Sequence, residues 1–237
     1  MGIQTFVRPK DNVGGIAVPA DAPSTANTIR PTPHTAPLYY RAIKRLLDII
    51  GSVVAIILFS LPMLLTAIAV KLTSRGPLFF TQTRLGKDGQ PFTLVKFRSM
   101  IVGSEDVRES LLQDNELDGP VFKIRKDPRL TPIGGFIRKF SLDEMPQIFS
   151  VLRGHMSLVG PRPPIPDEVA HYEPWQTERL AVKPGLTCIW QVSGRSDIGF
   201  EQWVKLDIDY VRSRSILLDL KLLLLTIPAV LTGRGAY

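Results

Sequence analysis

Residues 49–70, IIGSVVAIILFSLPMLLTAIAV, contain no charged side chain and decide how the chain is organised. About 22 residues in an α-helix extend over about 33 Å, which is long enough to cross the hydrocarbon core of a bilayer. Pro62 lies in the middle of this run, where a proline removes a backbone hydrogen bond and favours a kink. Ser60 is close enough to satisfy a carbonyl that the proline leaves free. The stretch therefore predicts a membrane helix with a break at Ser60 and Pro62.

Basic residues flank the apolar run on both sides, namely Arg41, Lys44 and Arg45 before it and Lys71 and Arg75 after it. Because positive flanks stay in the cytoplasm, both ends of the helix are expected on the same side of the membrane. A re-entrant helix that enters the bilayer, bends and leaves on the same side meets this requirement. A spanning helix with a proline kink stays open as the alternative.

Composition indicates a basic, moderately apolar chain. The 237 residues carry a formal net charge of +7, 44% are hydrophobic, and the mean hydropathy is +0.10. A basic balance indicates anionic partners such as phospholipid headgroups, phosphorylated substrates or nucleic acid. Nucleic acid is not expected, because acidic residues are interleaved with the basic ones and no nucleic-acid-binding motif is found. The single Cys188 excludes an intramolecular disulfide.

Three segments follow from these patterns. Residues 1–37 are rich in Pro, Ala and Thr and lack periodicity, which predicts a disordered tail. Residues 38–75 contain the membrane helix, and residues 76–237 read as a globular cytoplasmic domain.

The globular segment is predicted to be α+β and predominantly helical. Residues 78–85 and 92–97 read as two strands joined through Asp88 and Gly89 in a hairpin turn. Two helices close the chain, at residues 199–212 and 215–231. The last helix is strongly apolar, and both an interfacial position at the membrane and ordinary core packing are open.

Residues 141–147, SLDEMPQ, have the form of a helix capping box with Ser141 at the cap and Glu144 three positions later. Asp143 and Glu144 are then ordinary first-turn acids that complement the helix dipole, or they carry chemistry. Free backbone N–H groups at a helix start favour an ionised carboxylate, which is a competent nucleophile toward phosphorus. A second carboxylate beside it suits Mg²⁺, the usual cation of phosphate chemistry.

Basic residues near this motif favour a role of Asp143 and Glu144 in phosphate chemistry. They are Lys96, Arg98, Arg138, Lys139 and Arg162. Phosphoryl transfer needs positive groups around the transferred phosphate. Each residue alone also fits a solvated surface position, except Arg162, which Pro161 and Pro163 hold in a stiff context. No phosphate-binding loop of the Walker type and no zinc-ligand spacing is found.

Several motifs in a fixed order carry a resemblance to a known family. They are 44–45 (KR) with Asp48, the proline-broken apolar run, 96–100 (KFRSM), 141–147 (SLDEMPQ), 156–163 (MSLVGPRP), 183–187 (KPGLT), 190–195 (WQVSGR) and 218–221 (LDLK). From about residue 41 to the C-terminus the sequence resembles the bacterial sugar transferases, the small monotopic phosphoglycosyl transferases. One departure is Leu61, which separates Ser60 from Pro62 where family members commonly have adjacent Ser and Pro.

The resemblance implies a re-entrant, monotopic membrane protein whose nucleophile is Asp143. Glu144, together with Asp143, would hold Mg²⁺. The residues implied in substrate binding are Lys96, Arg98, Arg138, Arg162, Gln191, Arg195 and, with a less specific match, Asp207.

The implied reaction moves a hexose 1-phosphate from a UDP-sugar to undecaprenyl phosphate through a covalent aspartyl intermediate and releases UMP. It would begin exopolysaccharide, capsule or glycoconjugate assembly at the cytoplasmic face of the bacterial inner membrane. Glucose and galactose are the expected sugars, and N-acetylated donors stay open. A homodimer also stays open. The alternative function is a non-catalytic membrane scaffold of a polysaccharide assembly complex.

Overall fold

The structure is a computed structural model that describes residues 36–107, 109–116, 118–195, 198–233 and 235. All but the last two residues of the predicted tail, residues 1–37, lie outside these ranges. The α-helices of the described part are α1 Leu38–Thr73, α2 Gly134–Lys139, α3 Ile148–Arg153, α4 Pro166–Ala170, α5 Ile189–Ser193, α6 Phe200–Ser213 and α7 Ile216–Thr232. The strands are β1 Phe79–Leu85, β2 Pro91–Phe97, β3 Ser157–Val159 and β4 Gly185–Thr187. Shorter 3₁₀ helices lie at Lys87–Gly89, Glu109–Asp114, Leu142–Gln147 and Pro174–Ala181. The prediction of a mostly helical α+β chain is confirmed.

Helix α1 is long and apolar enough to cross a membrane. Its most apolar 18-residue window has a mean hydropathy of 2.7, and only 11% of that window is buried inside the protein. Pro62 lies inside one uninterrupted helix, so the structure does not show the predicted pair of helices separated by a break. The Ser60 hydroxyl donates to the carbonyl of Ile57 at 2.8 Å, and not to that of Leu58, four residues before the proline.

The N-terminal end of α1 is fixed to the globular domain by polar contacts. The Lys44 ammonium lies 2.8 Å from the Asp219 carboxylate of α7. The Arg45 guanidinium donates to carbonyls at the C-terminal end of α3. The Asp48 carboxylate accepts from the Ser157 hydroxyl at 2.9 Å. Long-range ion pairs and hydrogen bonds therefore fix this end of the helix at a defined position.

The C-terminal end of α1 is fixed to the same domain by apolar contacts. Val70 is fully buried in a cluster with Phe97 of β2 and Ile137 of α2, and Met63 and Ala67 pack against it. The polar and the apolar contacts together place both ends of α1 on one domain, although an ideal helix of 36 residues is about 54 Å long.

The predicted hairpin is confirmed. Strands β1 and β2 pair antiparallel, with Phe79 opposite Phe97, and the chain reverses through Asp88 and Gly89. Both turn residues have positive φ, 55° and 75°, which Asp and Gly tolerate. A second, short sheet consists of β3 and β4, which pair in parallel with Ser157 opposite Gly185.

Helix α6 contributes most of the buried residues of one apolar cluster. Phe200, Trp203, Val204 and Ile208 recur at helical spacing and are buried against Val121. Helices α6 and α7 occupy the positions predicted for the last two helices.

Helix α7 packs on the domain with only part of its surface. Leu222 is buried, whereas Leu217, Leu224 and Leu231 are each more than two-thirds exposed. Core packing therefore accounts for one face of α7 only. Its other face is apolar and open, and its interfacial position stays a prediction.

Candidate active site

A cavity of about 200 Å³ opens between the hairpin, the 3₁₀ turn after α2, residues 161–163 and the start of α5. Most of the polar side chains in its wall are charged. The charged groups are Arg84, Lys96, Lys123, Arg138, Asp143, Glu144, Arg162 and Arg195. Of the site residues predicted from the sequence, the wall contains Lys96, Arg138, Asp143, Glu144, Arg162, Gln191 and Arg195. A cavity with six positive and two negative groups is suited to a polyanion.

A tight turn brings Asp143 and Glu144 into the cavity wall. Helix α2 ends at Lys139, and Ser141 adopts a left-handed backbone with φ 55° before the 3₁₀ helix Leu142–Gln147 begins. The Ser141 side chain makes no capping bond. The predicted capping box is therefore wrong, because a helix N-cap needs an extended backbone at the Ser position.

Asp143 is buried, with 5% of its surface exposed. Burial, and then the neighbouring carboxylate of Glu144, raise the pKa of Asp143 to about 7, while Lys96 and Arg138 oppose this shift. The sequence predicted a shift of the opposite sign from the helix start. Desolvation outweighs the positive charges here, because the acid is almost entirely buried.

Burial disfavours the charged form of four cations in the cavity wall. Burial lowers the pKa of Lys96 to about 8 and that of Arg84 to about 9. The pKa of Lys123 is lowered to about 7 by burial and then by Arg138 and Arg162, and the pKa of Arg195 is lowered by burial. Each of these shifts favours loss of a positive charge, and an anionic ligand in the cavity would reverse it.

Arg162 is held rigidly at the edge of the cavity. Its Nη1 lies 3.5 Å from the Glu168 carboxylate, and its guanidinium lies 5.4 Å from the ring centre of Trp203. Glu168 also accepts from the backbone N–H of Ile165 at 3.2 Å. The Pro-Arg-Pro segment thus positions one guanidinium with little freedom, as the sequence predicts.

Two residues predicted at the site lie outside the cavity wall. Asp207 is fully buried behind it and lies 2.5 Å from Arg179, whose guanidinium stacks 5.1 Å from the centre of Trp203. Arg98 is also buried, and it donates to the carbonyls of Ser74 and Pro77 where α1 joins the hairpin. Both positions support the architecture around the cavity, and neither side chain lines it.

The far end of the cavity has polar atoms that lack partners within the described residues. These atoms are Nε1 of Trp190 and Nε and Nη2 of Arg195. Arg195 also has a left-handed backbone, with φ 53°. Buried donors without partners are costly in a folded protein, so their position in the wall indicates a ligand with several acceptor atoms.

Sequence reasoning missed Arg84, Lys123 and Gln147. Arg84 lies in β1, and the pairing of this strand with the one that contains Lys96 was the signal available. Lys123 follows a Gly-Pro pair in a segment without periodicity. Asn115 fixes this segment, because its amide donates to the Val121 carbonyl and its oxygen accepts from the Lys123 backbone.

The carboxylates of Asp143 and Glu144 fit a metal ion that takes most of its ligands from a bound substrate and from water. The described residues contain no group of three or more His, Cys, Asp or Glu side chains that could form a complete cage. Asp143 and Glu144 alone are available in the cavity. Mg²⁺ commonly binds through one or two carboxylates and completes its shell with phosphate oxygens and water. The pair therefore fits Mg²⁺ that arrives with a phosphorylated ligand.

The geometry is that of a cavity with six positive side chains, beside a helix that is long and apolar enough to cross a membrane. The sequence profile of the bacterial sugar transferases matches residues 39–233. The chain is 45% identical over 194 residues to the galactosyl transferase CpsE of Streptococcus agalactiae, covering 81% of this chain and 43% of that protein. It is 40% identical over 198 residues to the exopolysaccharide production protein ExoY of Rhizobium meliloti, covering 82% of this chain and 88% of that protein.

A third relative is the UDP-glucose:undecaprenyl-phosphate glucose-1-phosphate transferase of Klebsiella pneumoniae. The identity is 40% over 205 residues, which is 82% of this chain and 41% of that protein. The chain thus spans less than half the length of two of these relatives and most of ExoY. It belongs to the bacterial sugar transferase family, and the family predicted from the sequence motifs is confirmed.

Proposed function

We propose that this protein is a phosphoglycosyl transferase that moves a hexose 1-phosphate from a UDP-sugar to undecaprenyl phosphate and releases UMP. The observation that carries the proposal is Asp143, a buried carboxylate in a cavity lined by six positive side chains. The name of the Klebsiella pneumoniae relative gives the same class of donor and acceptor.

In the first step the Asp143 carboxylate attacks the β-phosphorus of the UDP-sugar. The bond between the β-phosphorus and the bridging oxygen breaks, and UMP leaves with that oxygen. Lys96 and Arg138 lie close enough to Asp143 to influence its pKa, so they can stabilise charge on the transferred phosphoryl group. The product is an aspartyl phosphosugar.

Asp143 and Glu144 would hold Mg²⁺ at this site. When bound, Mg²⁺ neutralises charge on the diphosphate and favours departure of UMP. Glu144 is half-buried in the cavity wall, so its carboxylate reaches the space that the diphosphate would occupy.

In the second step the phosphate oxygen of undecaprenyl phosphate attacks the phosphosugar phosphorus and releases the Asp143 carboxylate. Arg162 is rigid at the cavity edge, so we assign it to the phosphate of one of the two substrates. Atoms balance over both steps, since one P–O bond forms and one breaks in each.

The docking of α1 supports a re-entrant, monotopic position at the cytoplasmic face. Polar contacts of Lys44 and Arg45 at one end, and apolar contacts of Val70 at the other, attach both ends to one domain. A helix that crossed the bilayer would place its two ends on opposite sides of the membrane, and one domain could not then contact both. The basic flanks at both ends favour the cytoplasmic side.

Galactose and glucose are the sugars that we propose. CpsE is named a galactosyl transferase, and the Klebsiella pneumoniae relative is named for glucose 1-phosphate. ExoY is named for exopolysaccharide production, so we place the reaction at the first membrane step of such a pathway.

Release of UMP from protein in nanodiscs, with undecaprenyl phosphate and Mg²⁺, tests the proposal. A panel of UDP-sugars, with Asp143→Asn as the matched variant, should show carrier-dependent release from one donor that is lost in the variant. A donor labelled in the sugar should label wild-type protein covalently when the carrier is omitted. If folded protein released no UMP from any donor, the result would favour the non-catalytic scaffold.

A further inference from the structure

Arg162 lies in a segment whose backbone is held from outside. Pro161, Pro163 and Pro164 have no N–H group, so this segment cannot donate the regular hydrogen bonds of a strand. Instead, the four successive carbonyls of residues 161–164 each accept a hydrogen bond from another part of the chain. In order, the donors are the backbone of Gly185, the side chains of Arg179 and Arg84, and the backbone of Leu85. The position of Arg162 therefore depends on its partners in other elements.

Arg179 contacts Arg162 by two routes. Its Nη2 donates to the Arg162 carbonyl at 3.2 Å. Its guanidinium also lies 5.1 Å from the ring centre of Trp203, and the Arg162 guanidinium lies 5.4 Å from the same ring centre. One residue thus contacts the backbone of Arg162 directly and its side chain through a shared aromatic ring.

The Arg179 side chain is itself held at several points. Nη1 donates to the Tyr172 hydroxyl at 2.6 Å, and Nη2 lies 2.5 Å from the Asp207 carboxylate. Because a guanidinium is planar, these partners fix both its place and its plane. No part of the Arg179 side chain is exposed, whereas the Arg162 side chain is 31% exposed at the cavity edge. Arg179 therefore cannot contact a substrate, and any effect on the reaction has to pass through Arg162.

We propose that Arg179 is a positioning residue that holds Arg162 in the geometry needed for phosphoryl transfer. The inference rests on the proposed function, in which Arg162 binds the phosphate of a substrate. A misplacement of about 1 Å at a reacting centre can lower a rate about 100-fold. The contacts of Arg179 keep the Arg162 guanidinium from such a displacement.

The first test compares Arg179→Lys in two backgrounds by release of UMP. Lysine keeps a positive charge beside Asp207 but lacks the planar fork that reaches the carbonyl and the ring. In the wild-type background the change should lower kcat/KM by about 10–100-fold. In an Arg162→Ala background it should have less than about a two-fold effect, because the residue through which it acts is gone. Equal losses in both backgrounds would overturn the proposal, since a general structural defect is independent of Arg162.

Arg212→Lys is the matched control for this cycle. Arg212 is 61% exposed and forms an ion pair with Glu178, the residue before Arg179, so the same substitution is made beside the positioning residue but outside the cluster. It should leave UMP release unchanged in both backgrounds.

Tyr172→Phe is a milder variant, which serves if Arg179→Lys does not fold. It removes one hydrogen-bond acceptor of Arg179 and keeps the aromatic ring. It should give a smaller loss than Arg179→Lys, and that loss should also disappear in the Arg162→Ala background. A loss that persists there in full would contradict the proposal.

A second readout does not require turnover. p-Hydroxyphenylglyoxal modifies accessible guanidinium groups, and mass spectrometry measures the rate at Arg162 relative to Arg153, which is exposed at the end of α3. The relative rate should rise in Arg179→Lys and stay unchanged in Arg212→Lys. An unchanged rate in Arg179→Lys would overturn the positioning role. If wild-type protein released no UMP but Arg179→Lys still accelerated labelling of Arg162, the proposed function would fail while the positioning of Arg162 would be supported.

Discussion

Asp143 and Asp207 are both buried aspartates, but only Asp207 has an ion-pair partner among the described residues. Asp207 lies 2.5 Å from Arg179, and both side chains are fully buried. Asp143 forms no ion pair with any described residue, although positive groups surround its cavity. Burial raises both pKa values, to about 6 for Asp207 and about 7 for Asp143. A buried acid with an ion-pair partner is accounted for by the architecture, whereas an unpaired one in a cavity is a candidate for chemistry.

The largest effect is expected from Asp143→Asn on turnover. Loss of the nucleophile should reduce UMP release roughly 10⁴-fold or more. Circular dichroism and the unfolding midpoint of the same preparation serve as the control for folding. Release within ten-fold of wild type would exclude Asp143 as the nucleophile.

Asp207→Ala should instead act on stability. It leaves the Arg179 guanidinium buried without its partner, which costs about 3–5 kcal/mol of unfolding free energy. Thermal unfolding in detergent measures the effect. Asp207→Asn, which keeps a hydrogen-bond acceptor for Arg179, should lose less. A fully folded Asp207→Ala protein without activity would assign Asp207 a direct role in the reaction.

The raised pKa of Asp143 also predicts how Asp143→Asn changes stability with pH. The folded state holds the pKa of Asp143 at about 7, above its ordinary value of 3.8, so folding stability falls as pH rises from about 4 to about 7 and the cost is complete above pH 7. Asp143→Asn removes this cost and should raise the unfolding midpoint at pH 8 more than at pH 5. The corresponding increase in the free energy of unfolding at pH 8 has an upper limit on the order of 4 kcal/mol. A lower midpoint at pH 8 would show that Asp143 is stabilised by charges in the cavity.

A smaller effect is expected from Lys123, the cavity cation in the segment without periodicity. Lys123→Ala should reduce kcat/KM for the UDP-sugar by about 10–100-fold, which is the range for one charged hydrogen bond. Lys123→Arg should recover part of the loss. Lys87→Ala is the matched control, because Lys87 is exposed at the hairpin turn and outside the cavity. Equal activity of wild type and Lys123→Ala would remove Lys123 from the site.

Short sequence patterns were enough to predict the hairpin and the last two helices. The hairpin follows from strand composition and from Asp88 and Gly89, and α6 and α7 follow from periodicity and from turn residues at their starts. The Ser141 cap was wrong because its sequence pattern says nothing about the left-handed backbone that the chain needs after α2. The pKa of Asp143 was predicted to fall, and it rises instead. The cause is burial of its carboxylate, which depends on the hairpin and on other residues far away in sequence.

Some site residues could likewise be predicted from short motifs, and others only from the folded chain. Asp143, Glu144 and Arg162 stand out in short motifs, and the cavity contains all three. Arg98 and Asp207 belong to motifs of the same family, and only the folded chain shows that they face the α1 junction and Arg179. Lys123 reaches the cavity through a loop fixed by Asn115, a contact between segments that no periodicity reveals.

The attachment of Lys44 to Asp219 has a consequence for synthesis of the protein. These two residues are separated by 175 positions, so the N-terminal end of α1 leaves the ribosome long before its partner exists. At 5–20 residues per second, translation of the intervening chain takes on the order of 10–35 s. During that interval the N-terminal end of the apolar helix lacks its ion-pair partner, and early capture by the membrane or by an insertion factor would protect it from aggregation. The ion pair is then a late event that closes the structure once the last helix has been made.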